Sequence, residues 1–266
     1  MAMISNQLNY FCEIHFIFRE NTILLQGGAL PDESIMRKCL EHNIACDWFA
    51  ESDHNYSAVL LERDAPNPSG CDELQLREFF WKMRGSPEKE LISSLAARAR
   101  GLFNFRSQKR YCSMCGGALR DDEHFTARTC VQCGHLFFPQ LEPAVIVLIS
   151  RGNEILLARH KNRNDDMYSC IAGFVELGET IEECVHREIM EETSLTVKDV
   201  RYVASQAWPF PDQLMLAFRA EYENGEIKVQ EEEIREAHWF RRNSLPHIPG
   251  PGSVAYNLIM GEFEKK

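Results

Sequence analysis

Long apolar runs are what this chain most plainly lacks. The longest, Ala144 to Ile149, has six residues, far short of the roughly 20 a membrane-spanning helix needs. The first residues, MAMISNQLNYFCEIHFIF, lack a basic leader region and carry Glu13 and His15 inside their apolar part. They are expected to form a strand and not a signal peptide, which implies a cytoplasmic address. Positive charge is also short: 29 Lys and Arg stand against 40 Asp and Glu, a net charge of −11. That balance excludes nucleic-acid binding by bulk electrostatics. A phosphate-bearing ligand would need a metal ion or a few placed cations. The one basic segment, Arg98, Arg100, Arg106, Lys109 and Arg110, reads as a solvated linker face before it reads as a phosphate-contacting patch. A disulfide framework is absent too. Of ten cysteines, Cys12, Cys39, Cys46, Cys71, Cys170 and Cys184 are scattered without a pairing pattern and are expected to be buried free thiols.

The other four cysteines form a pattern. Cys112-Ser-Met-Cys115 and Cys130-Val-Gln-Cys133 are two knuckles, each followed by glycine and separated by fourteen residues. This spacing places four thiolates around one Zn²⁺. The glycines let each knuckle turn so that backbone N–H groups can face the sulfurs. With all four ligands supplied by thiolates, no position is left for water or substrate, so the zinc is read as structural.

The densest stretch lies at Gly173–Leu195, GFVELGETIEECVHREIMEETSL. It opens as a glycine-punctuated loop and continues as a helix, with Thr180 and Glu183 at capping-box spacing. At about 100° per residue, Ile181, Cys184, Val185 and Leu195 share one face. Glu188 and Glu192 stand in the same phase, with Glu191 beside them. A solvated, salt-bridged helix explains Glu183, Arg187 and Glu191 at (i, i+4) spacing but not carboxylates in the apolar phase. Such a stripe is costly unless cations meet it. Clustered oxygen ligands suit the hard ions Mg²⁺ or Mn²⁺.

Elsewhere, Tyr10–Phe18, Thr22–Leu25 and Ala58–Leu61 read as strands. Asp72–Arg84 and Glu88–Arg100 read as amphipathic helices separated by Gly85-Ser-Pro. Ala144–Ser150 suits a strand buried on both faces, and Glu154–Arg159 its hairpin partner. Tyr168–Val175, Val200–Trp208, Leu214–Tyr222 and Ala237–Phe240 are further strands, and Ser253 starts a terminal helix. The expected fold class is α+β: residues 1–105 a small N-terminal module, 106–140 a zinc ribbon, and 141–266 a mixed sheet flanked by helices.

The motif residues Gly173, Glu179, Arg187, Glu188, Ile189, Glu191, Glu192 and Leu195 resemble the Nudix hydrolase signature, with Ser194 where that family has glycine. The Cys₄ ribbon and the downstream Ser205-Gln-Ala-Trp-Pro-Phe-Pro-Asp-Gln213 resemble the family's NADH pyrophosphatase, NudC-like branch. Ala207 and Gln213 depart from that branch's proline and serine. The resemblance is strong over residues 110–260 and rests mainly on size and position before that. It implies a Nudix fold and hydrolysis of the pyrophosphate of NADH or NAD⁺ to nicotinamide mononucleotide and AMP. Removal of the NAD cap from RNA 5′ ends is implied as a second use of the same chemistry. The competing readings are another Nudix activity, on ADP-ribose or dinucleoside polyphosphates, and a zinc-ribbon binding module without catalysis.

By the same resemblance Glu188, Glu191, Glu192 and Glu233 are the catalytic candidates. Glu188, Glu192, Glu233 and the Ala172 backbone are candidates for Mg²⁺ or Mn²⁺, with Glu233 a metal ligand or the general base. Glu231, Glu232 and Glu236 are neighbours able to replace Glu233. Gln206, Ala207, Trp208, Pro209, Phe210, Pro211, Asp212 and Gln213, with Phe138 and the Ala255 backbone, are the substrate-binding candidates. Prolines fix φ near −65° and would hold Trp208 and Phe210 as a platform for a flat ring. A homodimer with substrate near the subunit boundary is also implied.

Overall fold

Short apolar runs broken by polar turns predict strands in the first hundred residues, and the computed structural model builds six. They are β1 (Ile4–Ser5), β2 (Ile14–Arg19), β3 (Thr22–Gln26), β4 (Ala45–Glu51), β5 (Tyr56–Leu61) and β6 (Cys71–Gln75), in sheet order β1-β4-β5-β2-β3-β6. Residues 4–5, 12–161, 166–210 and 212–264 are described; Tyr10 and Phe11 of the expected first strand lie outside them. The helices are α1 (Glu33–Glu41), α2 (Leu76–Lys82) and α3 (Pro87–Gln108). Asp32 caps α1 by accepting from the Ile35 N–H at 3.1 Å.

The expected helix at Asp72–Arg84 begins later, because its first residues form β6 and pair with β3 from Thr22↔Gln75 to Gln26↔Cys71. Pairing along an open sheet edge outweighs the helical preference of Asp72–Gln75. Five of the six scattered cysteines are buried as expected; Cys46 is exposed.

The basic segment is not a solvated linker. It lies largely on α3, which runs through residues 105–106 to Gln108. Arg98 forks onto the fully buried Glu51 with both contacts at 2.7 Å, and the Tyr56 hydroxyl donates to the same carboxylate. Arg106 holds Asp47 of β4 at 2.7 and 2.8 Å and Asp121 at 2.5 Å. These arginines are structural cations facing inward, and their charge is spent on fixed carboxylates. Removing one partner of such a buried set strands the other charges, so Arg106→Met is expected to cost about 3 kcal/mol in urea unfolding. An unchanged midpoint would contradict this reading.

The first compact unit, Met1–Gln140, ends in a three-stranded ribbon of β7 (Leu119–Asp121), β8 (Arg128–Cys130) and β9 (Leu136–Phe137). The second unit, Leu141–Lys266, contains β10 (Glu142–Arg151), β11 (Glu154–His160), β12 (Ile171–Phe174), α4 (Ile181–Thr193), β13 (Thr196–Trp208), β14 (Gln213–Asn224), β15 (Ile234–Arg241) and α5 (Val254–Met260). Its sheet runs β13-β14-β10-β11-β15, with β12 also paired to β10; β10 and β14 are parallel and the other pairings antiparallel.

The apolar run on β10 is explained by two buried faces. Val145, Val147 and Ile149 pack with Cys184, Val185 and Ile189 of α4. Ile146 and Leu148 pack with Val254, Ala255, Leu258 and Ile259 of α5. Successive strand side chains alternate between faces, so a strand covered on both sides must be apolar throughout.

Helix α4 starts and stops as its sequence dictates. Thr180 and Glu183 form the reciprocal capping box, and Ser194 ends the helix at φ 60°, ψ 24°. A non-glycine residue is strained in that left-handed region. Ser194→Gly is therefore expected to raise stability by about 0.5–1 kcal/mol in denaturant unfolding, with activity unchanged. A fall in stability would mean that the 3.2 Å bond from Ser194 Oγ to the Lys228 carbonyl outweighs the strain.

Candidate active site and metal centres

In the ribbon, Cys112 and Cys133 Sγ lie 3.7 Å apart and Cys115 and Cys130 Sγ 3.5 Å apart. All four sulfurs fall within 4.8 Å of one another. A tetrahedron of Zn–S bonds of about 2.3 Å has S···S edges of about 3.8 Å, so the set fits zinc. The Met114 N–H faces Cys112 Sγ at 3.4 Å and the Cys133 N–H faces Cys130 Sγ at 3.5 Å. Gly116 and Gly134, at φ 75° and 72°, provide the turn each knuckle requires.

The second site is built by sheet register at the start of β10. Glu142 pairs with Gln213, Ala144 with both Met215 and Phe174, and Val145 with Gly173. The β13–β14 hairpin tip and the Ala172–Gly173 backbone therefore share one end of the sheet. β11 runs antiparallel to β10, so its C-terminal end arrives there as well, and the Lys161 N–H holds the Glu233 carbonyl at 2.7 Å.

Helix α4 lays its carboxylates over this end. The Glu188 carboxyl group packs directly on Gly173, where a built Cβ would come within 1.9–2.1 Å of its atoms. Glycine is required there for close approach. Gly173→Ala would push aside the end of a side chain and leave the backbone in place. It is expected to lower kcat about 100-fold while shifting stability by less than about 1 kcal/mol; comparable losses in both would contradict this.

Glu192 is only 1% exposed, and neither of its carboxylate oxygens has a hydrogen-bond partner. Burial, then the charges of Glu188, Glu233 and Glu191, pushes its pKa up to about 8. Burial also raises that of Glu188, against the pull of Arg187. Two inward carboxylates that repel each other, one without any donor, are what a cation is needed to relieve. The donor set therefore fits a hard divalent ion. Among the described residues, however, only the four cysteines bring three or more ligand atoms within 4.8 Å of one another; the glutamates stand further apart as a set.

Arg187 organises the carboxylates. It reaches Glu179 at 2.7 and 3.0 Å, Glu188 at 2.9 Å, Glu191 at 3.0 Å and the Phe174 carbonyl at 2.9 Å. Its hydrogen bonds pull the Glu179 pKa down to about 2. Glu179 belongs to the sequence motif, but its work as the anchor of Arg187 shows only in three dimensions.

Glu233 and Glu236 are told apart by their surroundings. The Glu236 carboxylate is engaged by Tyr168, His238 and Arg159, which lower its pKa. Glu233 is the one whose charge acts on Glu188 and Glu192. Its turn is strapped to the end of α4, with Lys228 N–H to the Thr193 carbonyl at 3.0 Å and Gln230 N–H to the Glu192 carbonyl at 3.2 Å. No sequence motif announces that strap.

Hairpin β13–β14 closes with Ala207↔Leu214 and Trp208↔Gln213. Trp208 and Phe210 meet with ring centroids 5.1 Å apart at 63°, an angled pair and not one flat platform. Pro209 is buried beside them, the Asp212 carbonyl accepts from the Glu142 N–H at 2.9 Å, and Gln206 Nε2 donates to the Gly252 carbonyl at 3.2 Å. Pro211 lies outside the described residues. The Ala255 side chain is buried in the α5 core, which leaves its peptide, in the first turn of that helix, to take part. Phe138 belongs to the first unit, 52% exposed and edge-on to Phe125 at 6.0 Å.

The NUDIX domain model matches residues 140–258. NAD-capped RNA hydrolases NudC from Pectobacterium carotovorum and Chromobacterium violaceum are 48% and 49% identical over 63% and 62% of this chain. The chain spans 65% and 62% of the length of those two relatives. NudC of Erwinia tasmaniensis is 41% identical over 68% of this chain and 74% of its own length. The chain belongs to the Nudix family, in its NudC-like branch. A NUDIX hydrolase structure from Nitrosomonas europaea shares the Nudix fold at TM-score 0.50 and 24% identity, over 59% of this chain and 92% of its own. The Nudix match covers both Gly173 and α4, and the Cys₄ ribbon stands ahead of it as the sequence led us to expect.

Proposed function

We propose that this Nudix protein hydrolyses the pyrophosphate bond of NADH or NAD⁺ to nicotinamide mononucleotide and AMP, and removes the same group as a cap from RNA 5′ ends. The observation that carries the reading is the buried Glu192 carboxylate, without a hydrogen-bond partner, beside Glu188 and under the charge of Glu233. The names of the NudC relatives support the substrate.

Glu188, Glu192 and Glu233, with the Ala172 backbone, would hold Mg²⁺ or Mn²⁺. A divalent ion held there would supply positive charge against the two phosphates and Lewis acidity toward the attacking water. The chain's own part is positional. Arg187 holds the carboxylates of Glu188 and Glu191 in place through hydrogen bonds of 2.9 and 3.0 Å. Glu191, on the exposed flank of the set, adds negative charge beside the catalytic carboxylates. Trp208 and Phe210, with Gln206, Ala207, Pro209, Asp212 and Gln213 around them, offer angled aromatic surface to a ring of the dinucleotide. Pro211 and the Ala255 peptide complete the proposed substrate contacts of this unit.

Zinc in the ribbon is proposed to be structural. We also propose a homodimer and a cytoplasmic address; no helix among the described residues is long and apolar enough to cross a membrane. Of the five cations in the basic segment, Arg98 and Arg106 are engaged by Glu51, Asp47 and Asp121, so these two do not serve an RNA chain.

The test is to incubate the purified, zinc-loaded protein with Mg²⁺ or Mn²⁺ and NADH, ADP-ribose or diadenosine polyphosphate, and to identify products by mass spectrometry. Nicotinamide mononucleotide and AMP from NADH, formed faster than products of the other two, are expected. Preference for either other substrate would overturn the assignment.

A further inference from the structure

Lys161, one residue beyond β11, meets the Glu233 turn twice. Its peptide N–H donates to the Glu233 carbonyl at 2.7 Å, and its Nζ donates to the Glu231 carbonyl at 2.8 Å. The turn is closed internally by the Glu233 and Ile234 N–H groups, which donate to the Gln230 carbonyl at 3.1 and 2.9 Å. Its other limb is tied to α4, where the Gln230 N–H reaches the carbonyl of Glu192 itself at 3.2 Å. Glu233 thus stands on a turn suspended between the backbone of one buried carboxylate residue and Lys161.

The β-ladder does not fix this turn. Arg159 faces Glu236, but His160 faces Ile234, so Arg235 is the extra residue of a bulge between β11 and β15. A bulge interrupts regular pairing and re-aims the side chains beside it. On the β11 side, what holds the segment N-terminal to the bulge is the pair of Lys161 bonds, one of which depends on the side chain. An exposed carboxylate on an untethered turn would sample positions an ångström or more from the productive one, and errors of that size are costly in rate.

We propose that Lys161 is a positioning residue for Glu233: its ammonium group pins the Glu231 carbonyl and so sets where the Glu233 carboxylate stands. The inference rests on the reading that Glu233 works in the pyrophosphate site. Two other roles are open to a lysine here, a direct contact to substrate phosphate and an ordinary stabilising clamp, and each leaves a different signature.

The experiment uses the full, zinc-loaded chain as the parent, Lys161→Met, Lys161→Arg, Glu233→Gln and the double variant Lys161→Met/Glu233→Gln. Methionine keeps the stem and removes the donors; arginine keeps a donor. Lys161→Met is expected to lower kcat on NADH about tenfold, the scale of one lost hydrogen bond, with KM within about twofold of the parent. Without substrate, it should bind Mn²⁺ several-fold more weakly by calorimetry, and its Glu233 and Ile234 amides should exchange faster. Lys161→Arg should recover most of both losses. In the Glu233→Gln background, Lys161→Met should cost nothing more, because it acts through the group already removed. Unchanged kcat and Mn²⁺ affinity in Lys161→Met, whatever happens to its melting temperature, would overturn the positioning role while leaving Glu233 in the site. A raised KM at unchanged kcat would make Lys161 a phosphate contact and overturn it equally. Full parental kcat in Glu233→Gln would instead remove Glu233 from the mechanism, and the Lys161 proposal with it.

Discussion

Glu192→Gln is expected to lose NADH hydrolysis by about three orders of magnitude or more while remaining folded, the scale seen when a group central to transition-state charge stabilisation is removed. Its stability should separate this from a folding defect. In the chain without Mg²⁺ or Mn²⁺, the Glu192 pKa stands at about 8 against 4.5 for an ordinary glutamate, because the site is buried and already negative. The folded state holds that proton where the unfolded state gives it up. The contribution to stability is therefore present below the unfolded pKa and is lost as pH rises through 4.5 toward 8. Above pH 8 the parent carries an ionised, unpartnered carboxylate, and glutamine does not. Glu192→Gln should then be more stable than the parent by roughly 2–4 kcal/mol at pH 9 and near parity at pH 4. Urea unfolding at the two pH values, with zinc in place, reads this directly. An inactive variant that is also less stable at pH 9 would mean that Glu192 is needed for packing.

Replacing Cys130 by serine is expected to abolish zinc binding and unfold the ribbon. The ribbon's core is small: Cys112, Leu119 and Cys130 are its buried members, with Phe137 packed against them, and two of those three are ligands. So little apolar area cannot hold three short strands without a metal. Structural zinc sites supply on the order of 10 kcal/mol. Metal analysis should fall from one zinc per chain to none, and the amides of β7, β8 and β9 should lose their protection from exchange. The Nudix unit has its own core on both faces of β10 and should keep its protected amides. Retained protection in the ribbon at zero zinc would contradict the structural role.

What could be read from the sequence was what local spacing encodes. The two Cys-x-x-Cys knuckles, the capping box, and the buried phase of Glu188 and Glu192 each follow from patterns a few residues long. The two-faced burial of Ala144–Ile149 follows from its composition. Long-range partners were not legible. Nothing around Arg98 or Arg106 in the chain says that Glu51 and Asp47, 47 and 59 residues away, will take them up. Asp72–Gln75 has helical character locally and becomes strand because β3 offers an open edge. Glu233 was singled out only by the family resemblance; without it, Glu231, Glu232 and Glu236 are equivalent neighbours. Burial and charge separate it from Glu236, through Tyr168, His238 and Arg159, which engage that neighbour. The strap from Lys228 to Gln230 uses backbone groups alone, and these leave no mark on side-chain pattern.

If the buried carboxylates are a cation site, metal binding must release protons from them, and that release is the most direct test. At pH 7 a Glu192 with its pKa at about 8 is mostly protonated, and a ligand carboxylate must be ionised. Mn²⁺ titrated calorimetrically into the zinc-loaded protein, in buffers of different ionisation enthalpy, should release close to one proton per site from the parent. Glu192→Gln should release almost none and bind far more weakly. Equal proton release and equal affinity in the two proteins would place the metal elsewhere and contradict the mechanism.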